Sequence, residues 1–346
     1  MMAQQPSLRQ RLGCWCHERW RTELVVRVPW LARGLGLSWL DLCNRAERLR
    51  AEPGSIGRVC GWQDSSRLTV ARIFPQVGLR LLRRVLREWP VRLAGEADVV
   101  ASEHPQVTIV IPIGGTERMQ QFDLALASAR AQTGVATEIL VVEQSPEPTL
   151  EGRLPPDVRY RHDRVDAGSA GFNKSRALNL GARCARGESL LLMDADFLLP
   201  ERFACECHQA LVTFEGVRPM RLLFYLDAPS LPAIHRSRRL EAAVGVDDIV
   251  ENNPTPIAVR KATYWAIGGH DEDYAGWGGE DTEFLDRLRT RRISEAGWLP
   301  LVHVWHAAAP KKASGDRNHR LHEAKMRTSS ATRIQELRAR AERLTQ

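Results

Sequence analysis

Residues 107–113 read Val-Thr-Ile-Val-Ile-Pro-Ile, a run with hardly a polar side chain on either face, and residues 189–193 read Ser-Leu-Leu-Leu-Met. Side chains alternate between the two faces of a strand, so a strand apolar at nearly every position must be covered on both sides. Such strands belong inside a parallel sheet with helices packed on each face. The rest of the pattern agrees: a helix is predicted over 118–132, strands over 138–142 and 158–162, a helix over 172–186, and further strands of the same sheet over 221–226 and 256–259. The expected fold class is α/β, a Rossmann-like, mainly parallel sheet flanked by helices. Ligands of such sheets bind beyond the carboxyl ends of the strands, which here means just after Ile113, Val142 and Met193.

The chain has 346 residues, enough for one large domain and a smaller one. Residues 94–106 read as a linker, which separates an N-terminal module (1–100) from a domain over 105–310; a helical extension (311–346) follows, with a polar helix over 318–344. The first hundred residues hold 17 arginines, no lysine and nine acidic residues, a balance of +8, whereas the whole chain carries +7. The excess positive charge is therefore confined to that module. It reads as helical, with Trp15, Trp20, Trp30 and Trp39 set among arginines and a basic amphipathic helix over 79–89. Either these leucines and tryptophans pack on the main domain, or the module meets an anionic membrane surface. No nucleic-acid recognition motif is present, and none is expected as a partner. No run of 18 apolar residues occurs and residues 1–16 lack an apolar signal core, so a cytoplasmic protein, at most peripheral to the membrane, is expected. Seven cysteines without regular spacing argue against a disulfide framework; the two Cys-x-Cys-His runs, Cys14-Cys16-His17 and Cys205-Cys207-His208, are closer than zinc pairs usually are.

Two acidic motifs carry the chemistry. Asp194-Ala195-Asp196 directly follows the buried strand 189–193, and residues two apart on a strand share a face, so both carboxylates are expected to point the same way and attract a hard divalent cation. Gly276-Trp277-Gly278-Gly279-Glu280-Asp281 joins glycines that let a ligand approach the backbone, an indole able to cover a sugar ring, and an acidic pair opening a helix.

The Asp-Ala-Asp motif, followed about 80 residues later by Gly-Trp-Gly-Gly-Glu-Asp, resembles the family 2-type glycosyltransferases of GT-A fold with a galactosyltransferase-like C-terminal region. That group includes β-1,4-galactosyltransferases, polypeptide GalNAc transferases and chondroitin polymerases. Phe172-Asn173-Lys174 and the helix it opens resemble the Phe-Asn-Arg/Lys segment of those enzymes, and the likeness covers roughly residues 105–310. The resemblance implies Mn2+ (or Mg2+) on Asp196, with His306 as a further ligand and His303 as a second candidate; three-apart residues on a strand face opposite sides, so both reach one ion only if the chain turns. It also implies Asp194 at the donor's ribose or at the metal's water, Lys174 at its diphosphate, and Pro112 and Glu143 around its base. Asp281 would be the general base, with Glu280, Trp277, Gly278 and Gly279 holding the acceptor.

The implied reaction is inverting transfer of a hexose or N-acetylhexosamine from a nucleotide sugar, UDP-linked, to a hydroxyl of a glycan, glycoconjugate or peptide. Alternatives are a nucleotidyltransferase, given the Gly114-Gly115-Thr116-Glu117-Arg118 loop after the first strand, and a non-catalytic sugar-binding or scaffold protein. Specificity for sugar and acceptor is expected in a long loop over 227–251.

Overall fold

The computed structural model describes residues 6–44, 49–52, 54, 56–95, 97–98, 102–166, 172–276, 278–307 and 315–343. Its centre is a seven-stranded sheet in the spatial order Ile293–Ser294, Gly216–Val217, Ile257–Arg260, Ser189–Leu192, Val107–Gly114, Thr137–Ser145, Val158–Arg164. Only Ile257–Arg260 runs against its neighbours. The central strands are buried on both faces, as their composition requires. Ile109, Ile111 and Ile113 face a layer holding Phe122 and Ala125 of helix Met119–Arg130 and Phe203 and Cys207 of helix Phe203–Thr213. Val110, Leu140 and Val142 face the opposite layer, with Ala177 and Leu178 of helix Lys174–Cys184 and Phe284 and Leu288 of helix Glu280–Leu288. Gly181 is what lets that layer sit close: a Cβ there would lie 2.3 Å from Val110 Cγ1. The architecture is α/β, a mostly parallel sheet flanked by helices.

Residues 221–226 do not continue this sheet. Strand Met220–Leu226 belongs to a second, five-stranded sheet in the order Ser66–Arg67, Val246–Glu251, Met220–Leu226, Leu299–His303, Phe197–Leu198. The strand is buried on both sides, Leu223 toward the central sheet and Leu222, Phe224 and Leu226 toward the N-terminal helices. An apolar strand of this kind carries no mark of which sheet it joins. Its partner Val246–Glu251 lies in the stretch expected as a loop, which also contains helix Ser230–Ser237.

The first hundred residues are not purely helical. Helices Leu8–Cys14, Trp20–Arg27 and Pro29–Gly34 come first, strands Leu49–Ala51, Arg58–Cys60 and Ser66–Arg67 follow, and helices Thr69–Ile73 and Pro75–Leu86 come last. Helix Pro75–Leu86 turns its apolar stripe inward: Leu79, Leu81, Leu82 and Val85 are buried in one core with Phe224, Val246 and Ile249. A buried ion pair ties the region down further, Arg221 to Glu251 at 3.1 Å, with Arg221 Nε donating to the Leu40 carbonyl at 2.8 Å. The end of the chain forms two helices, Gly315–Met326 and Ser330–Arg343, instead of one, because Ser329 accepts from Thr332 N (3.1 Å) and caps the second.

No disulfide joins any of the seven cysteines. Among the described residues the Cys-x-Cys-His runs form no metal-ligand group, and no helix is long and apolar enough to cross a membrane.

Candidate active site

The Asp-Ala-Asp motif sits where the chain crosses from one sheet to the other, between Ser189–Leu192 of the first and Phe197–Leu198 of the second. This is the carboxyl end of the parallel strands. The expectation that both carboxylates share a strand face is not met. The strand ends at Leu192, and a turn in which Phe197 N donates to the Asp194 carbonyl (3.3 Å) splits the pair. Asp194 meets the Lys174 ammonium at 2.6 Å, whereas Asp196 turns toward His303, His306 and Arg118.

Strand Leu299–His303 pairs with Met220–Leu226 and Phe197–Leu198, which fixes His303: its ring stacks on Tyr225 at 4.3 Å and meets the edge of Phe197 at 5.8 Å. The chain then leaves the strand, and Val304 N donates to the Asp196 carbonyl at 2.9 Å. That bend is the turn the spacing of the two histidines requires. His303 Nε2 lies 3.6 Å and His306 Nε2 3.4 Å from the same Asp196 oxygen. The three ligand atoms fall within 4.8 Å of one another. The Ala307 carbonyl, 2.9 Å from His306 Nδ1, can only accept, so Nδ1 carries a hydrogen and Nε2 is the nitrogen turned toward Asp196. Burial lowers the pKa of His303, against the pull of Asp196, so its imidazole is neutral and able to ligate. One carboxylate and two imidazoles suit a divalent transition ion.

On the other side of the motif, helix Lys174–Cys184 begins at Asn173, whose side chain accepts from Arg176 N at 2.9 Å. This places Lys174 at the mouth of the sheet, 2.6 Å from Asp194 and 2.9 Å from Asp281. Burial alone would lower the Lys174 pKa, but Asp194 and Asp281 outweigh it and hold the ammonium well above its usual range. Asp281 opens helix Glu280–Leu288 just after Gly278 (φ 104°) and Gly279 (φ 94°); a Cβ on Gly279 would lie 2.7 Å from the Tyr274 ring. Burial pushes the Asp281 carboxyl up to about 7; Lys174 opposes the shift, and Glu280 and Asp194 add to it. Glu280 is nine-tenths buried, with Oε2 unpartnered among the described residues. Trp277 lies outside the described residues.

Pro112 is an interior residue of its strand, opposite Val142. Glu143 does not present a free carboxylate to a base. It accepts from Ser145 Oγ (2.8 Å), Thr149 N (3.1 Å), Leu150 N (3.0 Å) and Tyr160 OH (2.6 Å), donors that outweigh burial and hold its pKa near 2. Its place is to fasten the 145–150 loop beyond the second strand.

Two features were not foreseen as parts of the site. Arg118 donates to Asp196 at 3.3 Å from the loop after the first strand, a position that the Gly-Gly-Thr-Glu-Arg sequence advertises. The C-terminal helices hold the 271–275 approach to the Gly-rich loop. Lys325 bonds Asp271 (2.7 Å) and Asp273 (2.9 Å), Arg340 bonds Asp273 (2.8 Å), and Asn318 donates to the Ala275 carbonyl (3.1 Å). Arg333 meets Glu283 at 2.5 Å, on the helix that Asp281 opens. Alternating charge in a surface-like helix gives no sign of such a task.

Residues 256–308 match a family described as the N-terminal domain of galactosyltransferase. That segment carries Asp281, His303 and His306. Over 259 residues the chain is 24% identical to validoxylamine A glucosyltransferase of Streptomyces hygroscopicus subsp. jinggangensis (strain 5008), covering 63% of this chain and 59% of that one. The protein of the same name from subsp. limoneus is also 24% identical, over 63% of this chain and 55% of its own. Both likenesses are to glycosyltransferases. The chain spans well under two thirds of the length of these relatives.

Proposed function

We propose that this protein is an inverting glycosyltransferase that moves a hexose or N-acetylhexosamine from a UDP-sugar to an acceptor hydroxyl of a glycan, glycoconjugate or peptide, with Mn2+ (or Mg2+) as cofactor. The observation that carries the reading is the meeting of two unlike clusters at one sheet end. Asp196 with two imidazoles lies on one side, and a buried Lys174–Asp281 pair on the other. The family match over both histidines and Asp281 supports it.

In this reading the acceptor oxygen forms a bond to the anomeric carbon as the bond to the UDP β-phosphate oxygen breaks. The acceptor proton passes to Asp281, whose pKa of about 7 suits a base working near neutrality. Lys174 and Arg118 bring positive charge to where the diphosphate would lie. A divalent ion held by Asp196, His303 and His306 would supply further charge against the departing diphosphate. Glu280, buried with a free oxygen, would accept a hydrogen bond from the acceptor. No carboxylate is needed as a nucleophile, since inversion takes a single displacement.

The test is incubation with UDP-glucose, UDP-galactose, UDP-GlcNAc and UDP-GalNAc in Mn2+, with UDP release as readout. Slow hydrolysis of at least one donor, stopped by EDTA and restored by Mn2+, is expected. If no donor is consumed or bound, the reading fails.

A further inference from the structure

Residues 8–35 use only one side of themselves. Helix Leu8–Cys14, the wider turn Trp15–Arg19 and helix Trp20–Arg27 run on without a break, since the residues joining them keep helical backbone angles. The inward side is occupied. Cys14, Thr22, Val25 and Ala32 are buried, and Glu18 caps helix Thr69–Ile73 through Thr69 N (2.8 Å) and Val70 N (2.7 Å). The segment is therefore folded and anchored by its own core.

Its outward side is apolar to a degree found nowhere else on the described surface. Leu8 is 74% exposed, Trp30 69%, Leu35 61%, Leu12 59% and Trp15 52%; among the described residues only four other large apolar side chains outside this segment are exposed, and they are scattered. Leu8, Leu12 and Trp15 are spaced to lie along one stripe of the helix. Arginines stand between them: Arg9, Arg11, Arg21 and Arg33 are all exposed. The segment's two acids do not offset them, because Glu18 is buried and Glu23 is shared by Arg19, Arg27 and Arg80.

We propose that this face docks on an anionic lipid bilayer, with the tryptophans and leucines entering the headgroup boundary and the arginines meeting lipid phosphates. Leucine and tryptophan beside arginine on a preformed helix is what an interfacial helix needs. A second copy of the same face would set arginine against arginine. A nucleic acid would satisfy the arginines but offer Leu8, Leu12 and Leu35 no hydrocarbon. The apolar stripe of helix Pro75–Leu86 takes no part, since it is already spent on the core.

The test uses the full chain and sedimentation with phosphatidylcholine vesicles, with and without about one third phosphatidylglycerol. Binding to the anionic vesicles at low salt, weak binding to the neutral ones, and loss as salt rises are expected. Joint substitution Arg9→Gln, Arg11→Gln and Arg21→Gln should weaken binding roughly a hundredfold. Trp15→Ser with Trp30→Ser should weaken it independently of salt. These positions are exposed, so an unchanged melting temperature confirms that the variants fold. The proposal is overturned if the wild-type chain ignores anionic vesicles, or if the tryptophan pair binds them as well as wild type. It is equally overturned if wild type is a dimer that Trp30→Ser makes monomeric, or if a DNA duplex is bound in preference to the vesicles.

Discussion

The Lys174 ammonium lies 2.9 Å from the Asp281 carboxylate, and both side chains are largely buried. Two residues 107 positions apart, on different helices, are thus joined at the point where the proposed base and the proposed diphosphate site meet. The contact sets the carboxyl's acidity: burial drives the Asp281 pKa up, and Lys174 is the charge that restrains it.

Removing that charge should therefore disable the base without deleting it. Lys174→Met is expected to lower transfer at pH 7 by about tenfold or more and to move the pH midpoint of the reaction upward. Lys174→Arg should restore part of the rate. A Lys174→Met enzyme with an unchanged midpoint would show that Lys174 does not act on Asp281.

The pH dependence of the wild-type chain follows from the same pair. A general base works deprotonated, and Asp281 sits near 7, so transfer should rise through that pH and level off above it. Initial rates between pH 5.5 and 8.5 at saturating donor and metal would read the curve. A rate already at its plateau at pH 5.5 would mean that the group in control is an ordinary carboxylate.

The C-terminal helices should matter to the acceptor side more than to the donor side. Lys325→Ala removes bonds to Asp271 and Asp273. It should cost about 1–2 kcal/mol of stability and cut transfer several-fold. UDP binding in Mn2+ should hold within about twofold, because none of the donor-side residues touches Lys325. Equal losses of binding and transfer would point to a general loosening of the fold.

Much of this arrangement was legible beforehand, for reasons tied to particular residues. The runs at 107–113 and 189–193 could hardly be anything but central strands, and the place of the acidic motif at a sheet end followed from them. The likeness of three short motifs gave the glycosyltransferase reading. What stayed hidden depended on long-range pairing. Strand Met220–Leu226 joins a second sheet because Val246–Glu251 and Leu299–His303 are there to receive it, and nothing in its own residues says so. The split of Asp194 from Asp196 is made by a turn that a two-residue period cannot reveal. Glu143 looked free to bind a ligand because its donors, Thr149, Leu150 and Tyr160, come from a loop and the next strand. Arg118 and Lys325 are ordinary surface-type cations until the fold brings carboxylates to them.

The most direct test of the central claim separates the two aspartates by role. Calorimetry with UDP and Mn2+, run beside UDP release from a UDP-sugar, reads binding and chemistry together. Asp281→Asn keeps the shape and removes the base, so UDP and Mn2+ should still bind while turnover falls by about 100-fold or more. Asp196→Asn removes the carboxylate that faces both histidines, so Mn2+-dependent UDP binding should itself collapse, and turnover with it. If Asp281→Asn abolishes nucleotide binding while Asp196→Asn leaves it intact, the roles are reversed; if both variants turn over donor at the wild-type rate, the constellation is not catalytic and the account is contradicted.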